Sequence, residues 1–306
     1  MSAGYRVVGT TQPGVPSPLR PYLDGVVIQE HDLRDAEGFD RLLDTYEPTE
    51  VYNLAGFTSV GASWDNRELV MEVNAVAVER MLEALVKRGG IKFFQASSSE
   101  VFGPEAVNPQ DESTPHAPQN PYAESKSRAQ EATVRAREGG LFTAVGILYN
   151  HESPLRATQF VTRKITHGAA EIAEGLRDTL TLGNLEVSRD WGAAGDYVAA
   201  MHAVLQQTTP SDYVIATGQL HTLGQLLAVA FAAVGIDDPW AHVEQDPALL
   251  RKADAPGLSG DADKARRELG WSPTTSFEEL VQGMVAVDQK RIKSGIEEDI
   301  AYLTHS

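Results

Sequence analysis

Short β-branched or aromatic runs alternate along this chain with longer stretches of helical period. That alternation limits what it can fold into more than any other feature, because βα units in series build a parallel sheet flanked by helices. Strands read at Tyr5–Gly9, Val26–Gln29, Glu50–Leu54, Ile91–Ala96, Leu141–Ile147 and Tyr213–Ala216. Each is a brief, mainly apolar run rather than an alternating one, as expected of a strand buried on both faces. Helices are expected over Arg67–Arg88, Ala123–Arg137, Phe160–Glu174, Ala194–Gln206, Leu223–Val234 and Ser276–Asp288. In the first of these, Leu69, Val70, Val73, Val76, Ala77, Leu82 and Leu85 form one broad stripe, and Gly89-Gly90 ends it. The expected architecture is α/β, a doubly wound parallel sheet with a smaller C-terminal domain. From about residue 150 the strand rhythm loosens, and turn-rich segments such as Asp237-Asp238-Pro239-Trp240 and Gly270-Trp271-Ser272-Pro273 mark that second domain. No internal repeat or low-complexity run is present.

Composition narrows the partners. The 306 residues carry 26 Lys and Arg against 43 Asp and Glu, a formal charge of -17, the wrong sign for a general nucleic-acid or anionic-membrane binder. An anionic substrate must therefore meet a local basic cluster. With no cysteine there is no disulfide, thiolate metal site or Cys nucleophile. The longest apolar stretch, Leu226 to Ile236, is too short to span a bilayer, and Met1 to Val15 lacks a signal-peptide core, so the expected location is cytoplasmic.

The start of the chain departs from the pattern. A doubly wound nucleotide-binding sheet opens with a strand, a Gly-rich turn and a helix whose N-terminus holds a pyrophosphate. Here Met1-Ser2-Ala3-Gly4 leads directly into Tyr5-Arg6-Val7-Val8-Gly9, which reads as the end of a helix followed by the second strand, and no G-x-G-x-x-G occurs anywhere. The first strand of such a sheet is central, so its neighbours should lack a ladder partner. Either the natural start lies upstream of Met1 or another element fills the gap.

Tyr122 and Lys126 stand one helical turn apart on one face. A cation beside a phenol stabilises phenolate, which can exchange a proton with a sugar hydroxyl during hydride transfer. The plain alternative is a solvated helix start. Asn120-Pro121 favours a helix entry there, placing Tyr122 at its mouth. The strand Ile91–Ala96 runs into Ser97-Ser98-Ser99-Glu100 at the carboxyl edge, where open α/β sheets bind ligands. Glu100 there could move a proton, or simply cap a turn. Arg189 and Arg251 are candidate diphosphate clamps, or surface ion pairs. His151-Glu152 has no second His at ligand spacing, which argues against a metal site.

Five blocks then follow one another in a recognisable order: Ser97 to Gly103, Asn120 to Lys126, Ile147-Leu148-Tyr149-Asn150-His151-Glu152-Ser153-Pro154, Phe160 to Ile165, and Leu182 to Tyr197. In these the chain resembles the extended short-chain dehydrogenase/reductases, and within them the GDP-mannose 4,6-dehydratases. Val214 to Gly218, Gly270-Trp271-Ser272-Pro273 and Ser276 to Val281 extend the resemblance to nearly the whole chain.

The resemblance implies a Rossmann-type NADP-binding domain over residues 1–150, without its first βα unit and with a segment near 190–217 returning to it. A sugar-nucleotide-binding domain would occupy 151–306. It implies conversion of GDP-mannose to GDP-4-keto-6-deoxymannose, with Tyr122 as base on O4, Lys126 lowering the Tyr122 pKa and holding the cofactor ribose, Ser98 bonding O4 where the family usually has Thr, and Glu100 moving the C5 proton to the leaving C6 hydroxyl. Asp32, Leu33, Asn53, Leu54, Ala55, Gly56 and Asn74 match cofactor-side positions. Ser59, Asn150, Val161, Lys164, Arg189 and Arg251 match contacts to the sugar, guanine and diphosphate. NADP follows from the family, although Thr10-Thr11-Gln12 stands where an Arg would hold its 2′-phosphate, and NAD stays open. A homodimer or homotetramer is implied. Two alternatives share these residues: a GDP-sugar 4-keto reductase or epimerase, which does not require Glu100, and a truncated non-catalytic paralogue.

Overall fold

A computed structural model describes residues 4–14, 20–246 and 257–305. In chain order the elements are β1 (Val8–Thr11), β2 (Val27–Glu30), α1 (Ala36–Tyr46), β3 (Glu50–Asn53), α2 (Val60–Ser63), α3 (Arg67–Met71), α4 (Ala77–Arg88), β4 (Lys92–Ser98), α5 (Pro121–Glu138), β5 (Thr143–Leu148), β6 (Asn150–Glu152), α6 (Val161–Ala173), β7 (Leu180–Leu182), β8 (Ser188–Ala193), α7 (Ala194–Leu205), β9 (Tyr213–Ile215), β10 (Leu220–Thr222), α8 (Leu223–Ala233), β11 (Val243–Gln245), α9 (Asp263–Leu269) and α10 (Phe277–Ser294). None of these helices is long and apolar enough to cross a membrane.

The chain divides into two compact units. One comprises Met1–Gly103, Glu112–Leu148 and Met201–Val214, and the other Pro104–Asp111, Tyr149–Ala200 and Ile215–Ser306. In the first, β3, β4, β5 and β9 lie side by side in that order, with β3, β4 and β5 parallel. Strand β1 pairs in parallel with β2 as a separate ladder. Among the described residues β1 and β3 therefore each have one strand neighbour, and the ladder breaks where a central first strand would lie. Every residue of β5 is buried, as the continuous apolar run requires. Phe93 of β4 packs with Phe39 and Leu43 of α1, Leu82 and Leu85 of α4, and Ala129 of α5.

Several boundaries moved for physical reasons. β5 begins two residues later than the apolar run, because Gly139 and Gly140 close α5 and Leu141 N–H still donates to Ala136 O. β1 begins at Val8, where pairing to Val27 starts. The helix expected over Arg67–Arg88 is interrupted by a π-helical turn at Glu72–Val76, which a periodic stripe does not reveal. Helix α1 was not anticipated, although Phe39, Leu42, Leu43 and Tyr46 recur at helical spacing; Asp35 caps it, its side chain accepting from Gly38 N–H at 2.9 Å.

The second unit has β10, β8 and β6 in one sheet and a parallel β7–β11 pair. Its apolar core joins Ile165 of α6, Trp191 of β8, Phe231 of α8 and Phe277 and Val281 of α10. Inside it Asp288, fully buried, accepts from Arg163 Nε at 2.7 Å, Arg291 Nη1 at 3.2 Å and Thr166 Oγ1 at 2.8 Å. Arg163 also donates to the carbonyls of Pro154 and Arg156, so the carboxylate fixes two helices and a loop. Burial raises the Asp288 pKa, opposed chiefly by Arg163. Among the described residues, Asp288→Ala would leave buried Arg163 without a carboxylate and buried Arg291 with Glu298 alone. We expect a loss of about 3–5 kcal/mol in urea unfolding, whereas Arg41→Ala at an exposed ion pair should cost under about 1 kcal/mol.

Candidate active site

The carboxyl end of β4 sets the geometry. The strand stops at Ser98, whose Oγ accepts from Glu100 N–H at 3.3 Å, and the chain turns at once into a 3-10 turn over Ser99–Phe102. Glu100 thus leaves the sheet edge in the first residues of a turn and is half-buried. Gly103 ends the turn with φ +76, and a Cβ there would lie 2.2 Å from Ala117 O, so glycine is required for the segment returning to α5 to pass.

That segment enters α5 through Asn120. Its Oδ1 accepts from Ala123 N–H at 2.8 Å as an N-cap, and Pro121 occupies the first helical position. Its Nδ2 donates to Glu100 Oε2 at 3.3 Å. Tyr122 follows, half-buried, and Lys126 lies one turn further, its Nζ 5.9 Å from the Tyr122 ring centroid. Lys126 is only 6% exposed and donates to Ala96 O at 3.0 Å. Burial lowers its pKa to about 8.

Behind this pair stands Asn74, in the π-helical turn. Its Nδ2 donates to Phe57 O at 3.0 Å and Ser125 Oγ at 3.1 Å, and its Oδ1 accepts from Phe57 N–H at 2.7 Å. The amide ties the loop after β3 to α5. Gly56 in that loop has no room for a side chain, since a Cβ would sit 2.7 Å from Asn74 Oδ1 and 3.8 Å from Lys126 Nζ. Asn53 is buried and donates to Gln95 Oε1 at 2.9 Å, while Leu54 and Ala55 are exposed. Ser97 Oγ donates to Gln130 Oε1 at 3.0 Å, a second buried link between β4 and α5.

Ser98, Glu100, Tyr122, Lys126, Asn74 and the 53–56 loop, expected from separate stretches of sequence, are thus carried by one sheet edge and the helices beside it. Asp32 follows β2, where Arg34 binds its carboxylate through N, Nε and Nη2 at 2.9, 2.9 and 2.6 Å and holds its pKa at about 2. Leu33 packs against the α1–α4 apolar cluster. Ser59 caps α2, accepting from Ala62 N–H at 3.2 Å.

The remaining expected residues belong to the second unit. Asn150 opens β6 opposite Trp191, and Val161 opens α6. Lys164 Nζ donates to Thr181 O at 2.6 Å, and Arg189 Nη1 donates to Ser188 O at 2.7 Å. Beside Arg189, buried Asp190 accepts from Thr217 N and Oγ1, Gly218 N and Gly260 N, at 2.6 to 3.2 Å. Arg251 lies outside the described residues. Sequence reasoning missed the bond from Asn120 to Glu100 and the Asn53–Gln95 and Ser97–Gln130 pairs. A polar residue before a proline signals the cap, but not what its other amide atom touches.

A phenol and an ammonium beside a glycine-bearing loop match the ribose and nicotinamide end of a dinucleotide, whose hydroxyls need such donors. The sequence contains no Gly-rich turn for the pyrophosphate. Lys126 gives a direct test. Its folded pKa of about 8 lies below its ordinary 10.5, so the fold carries a buried ammonium below pH 8 and is relieved of it as pH rises between those values. Ala96 O keeps a second donor, Gln95 Nε2 at 2.9 Å. We expect Lys126→Met to lose activity with a Tm at pH 7 no lower than the parent, an advantage that shrinks between pH 8 and 10.5 on thermal scans.

A family profile described as GDP-mannose 4,6 dehydratase matches residues 18–284. GDP-mannose 4,6 dehydratase 1 of Arabidopsis thaliana is 46% identical over 269 residues, covering 86% of this chain and 74% of that protein. GDP-mannose 4,6 dehydratase of Homo sapiens is 38% identical over 283 residues, covering 86% and 76%. Among solved structures, a UDP-glucose 4-epimerase of Thermus thermophilus in complex with NAD superposes with a TM-score of 0.81 at 26% identity, covering 95% of this chain and 92% of that one. The profile match over residues 18–284, with relatives 38–46% identical across 86% of the chain, places it in the GDP-mannose 4,6-dehydratase family of extended short-chain dehydrogenase/reductases.

Proposed function

We propose that this chain converts GDP-D-mannose to GDP-4-keto-6-deoxy-D-mannose with release of water. The observation that carries the reading is Glu100, a carboxylate tied by hydrogen bond to the start of the helix that holds Tyr122 and Lys126. Hydride transfer at a sugar carbon needs only the phenol and the ammonium. Elimination needs a further base and acid, and Glu100 supplies it.

When bound, a nicotinamide cofactor supplies the acceptor for hydride from C4 and the donor for its return to C6. Tyr122 takes the O4 proton as C4 is oxidised, with Ser98 bonding O4 and the Lys126 charge favouring phenolate. The C4 ketone acidifies the C5–H bond. Glu100 removes that proton and delivers it to the C6 hydroxyl, which departs as water. Hydride addition at C6 and a proton at C5, balancing the one lost from O4, complete the product with no net oxidation.

The residues assigned to the dinucleotide are Asp32, Leu33, Asn53, Leu54, Ala55, Gly56, Asn74, Tyr122 and Lys126. NADP is favoured from the family alone, because the segment that ends β1, Thr10-Thr11-Gln12, carries neither a carboxylate for a free ribose 2′-hydroxyl nor an Arg for a 2′-phosphate. Ser59, Asn150, Val161, Lys164, Arg189 and Arg251 are assigned to GDP-mannose. Its basic members answer the need for local positive charge on a chain of net charge -17.

Turnover of GDP-[4-²H]mannose with NADP⁺ tests the reading, and deuterium should appear at C6 of a 4-keto-6-deoxy product. Glu100→Gln should accumulate reduced nicotinamide in a single turnover while product formation falls roughly 10²–10⁴-fold. Unchanged dehydration by that variant would remove Glu100 from the mechanism. A 4-hydroxy product would favour a reductase.

A further inference from the structure

Asn120 does two things with one rigid amide. Its Oδ1 must face Ala123 N–H, because that backbone group is a donor and needs an acceptor. The orientation of the planar group is then fixed, and Nδ2 is left as a pure donor aimed at Glu100 Oε2. Oε2 is thereby engaged, whereas Oε1 has no hydrogen-bond partner among the described residues. The turn that carries Glu100 is itself held by Ser98 Oγ and by Val101 O, which accepts from Ala117 N–H at 2.9 Å.

We propose that Asn120 is a positioning residue for the elimination step: it anchors Glu100 through Oε2 and dedicates Oε1 to carrying the proton between C5 and the C6 oxygen. This inference rests on the reading of Glu100 as the eliminating acid and base. The proton removed from C5 forms an O–H bond at Oε1 as the C5–H bond breaks. That same O–H bond breaks when the proton passes to the departing hydroxyl, so the carboxylate ends unchanged and water is released. Oε2 accepts from Nδ2 throughout, which prevents the carboxyl from rotating its proton away from the sugar. Because the same amide caps α5, the carboxylate and the helix turn bearing Tyr122 are registered by one side chain.

Serine is as good an N-cap as asparagine but too short to reach Glu100, so Asn120→Ser separates the two roles. We expect its Tm and its KM for GDP-mannose to stay near those of the parent. Oxidation at C4, followed as reduced nicotinamide in a single turnover, should proceed at the parent rate. Washout of deuterium from GDP-[5-²H]mannose and product formation should both slow roughly 10- to 100-fold, the scale of a lost hydrogen bond to a charged group. Asn120→Asp, which keeps the cap but sets a second carboxylate against Oε2, should be slower still. In a Glu100→Gln background the serine substitution should have no further effect on elimination. Elimination within about 2-fold of the parent in Asn120→Ser, or C4 oxidation falling in parallel with it, would overturn the proposal. If Glu100→Gln itself dehydrates normally, the fault lies in the underlying reading. If it is blocked while Asn120→Ser is not, only the role of Asn120 fails.

Discussion

Everything in the candidate site depends on where strand β4 stops. A parallel strand buried on both faces cannot drift in register without exposing its hydrogen-bonding groups, and β4 is held against β5 from Phe93 opposite Thr143 to Ser98 opposite Leu148. Ser98 is therefore a fixed point, and the turn that begins there lifts Glu100 to a fixed height above the sheet edge. A strand one residue longer would move the carboxylate away from the amide that anchors it.

Buried polar pairs then lock the helices to that edge. Ser97 with Gln130, Lys126 with Ala96 O, and Asn74 with Ser125 and Phe57 are each satisfied within a largely buried setting. A half-satisfied version of the same network would cost more than an apolar core, so these contacts specify one arrangement as well as stabilising it. In the second unit, Asp288 with its two guanidinium partners and Asp190 with its loop N–H groups follow the same logic: a buried carboxylate is tolerable where several donors converge on it.

How much of this was legible in sequence varied with the physical signal. The strands around Phe93 and Val145 were plain, because strands covered on both faces read as brief, mainly apolar runs rather than alternating ones. The interrupted ladder between β1 and β3 was also legible, from the lack of a Gly-rich turn. Helix α1 was not read, although Phe39, Leu42, Leu43 and Tyr46 recur at helical spacing, because the stripe is short. The π-helical turn at Asn74 was hidden because one extra residue in a turn leaves the apolar stripe almost unaltered. Tyr122, Lys126 and Glu100 were found through motif blocks, whereas Asn120 was seen only as a residue before proline.

The sequence by itself determined the fold class, the family and the chemical types at the site, since hydrophobic period and motif order are properties of the chain read in one dimension. The tertiary structure decided which side chains meet. The depressed pKa of Lys126 comes from burial rather than from its neighbours in sequence. The bond from Asn120 to Glu100 joins residues 20 positions apart, and the Asn74 contacts join residues up to 51 apart. Such distances and desolvation are set only when strands and helices pack, because a hydrogen bond depends on position to within a few tenths of an ångström and no local pattern encodes that.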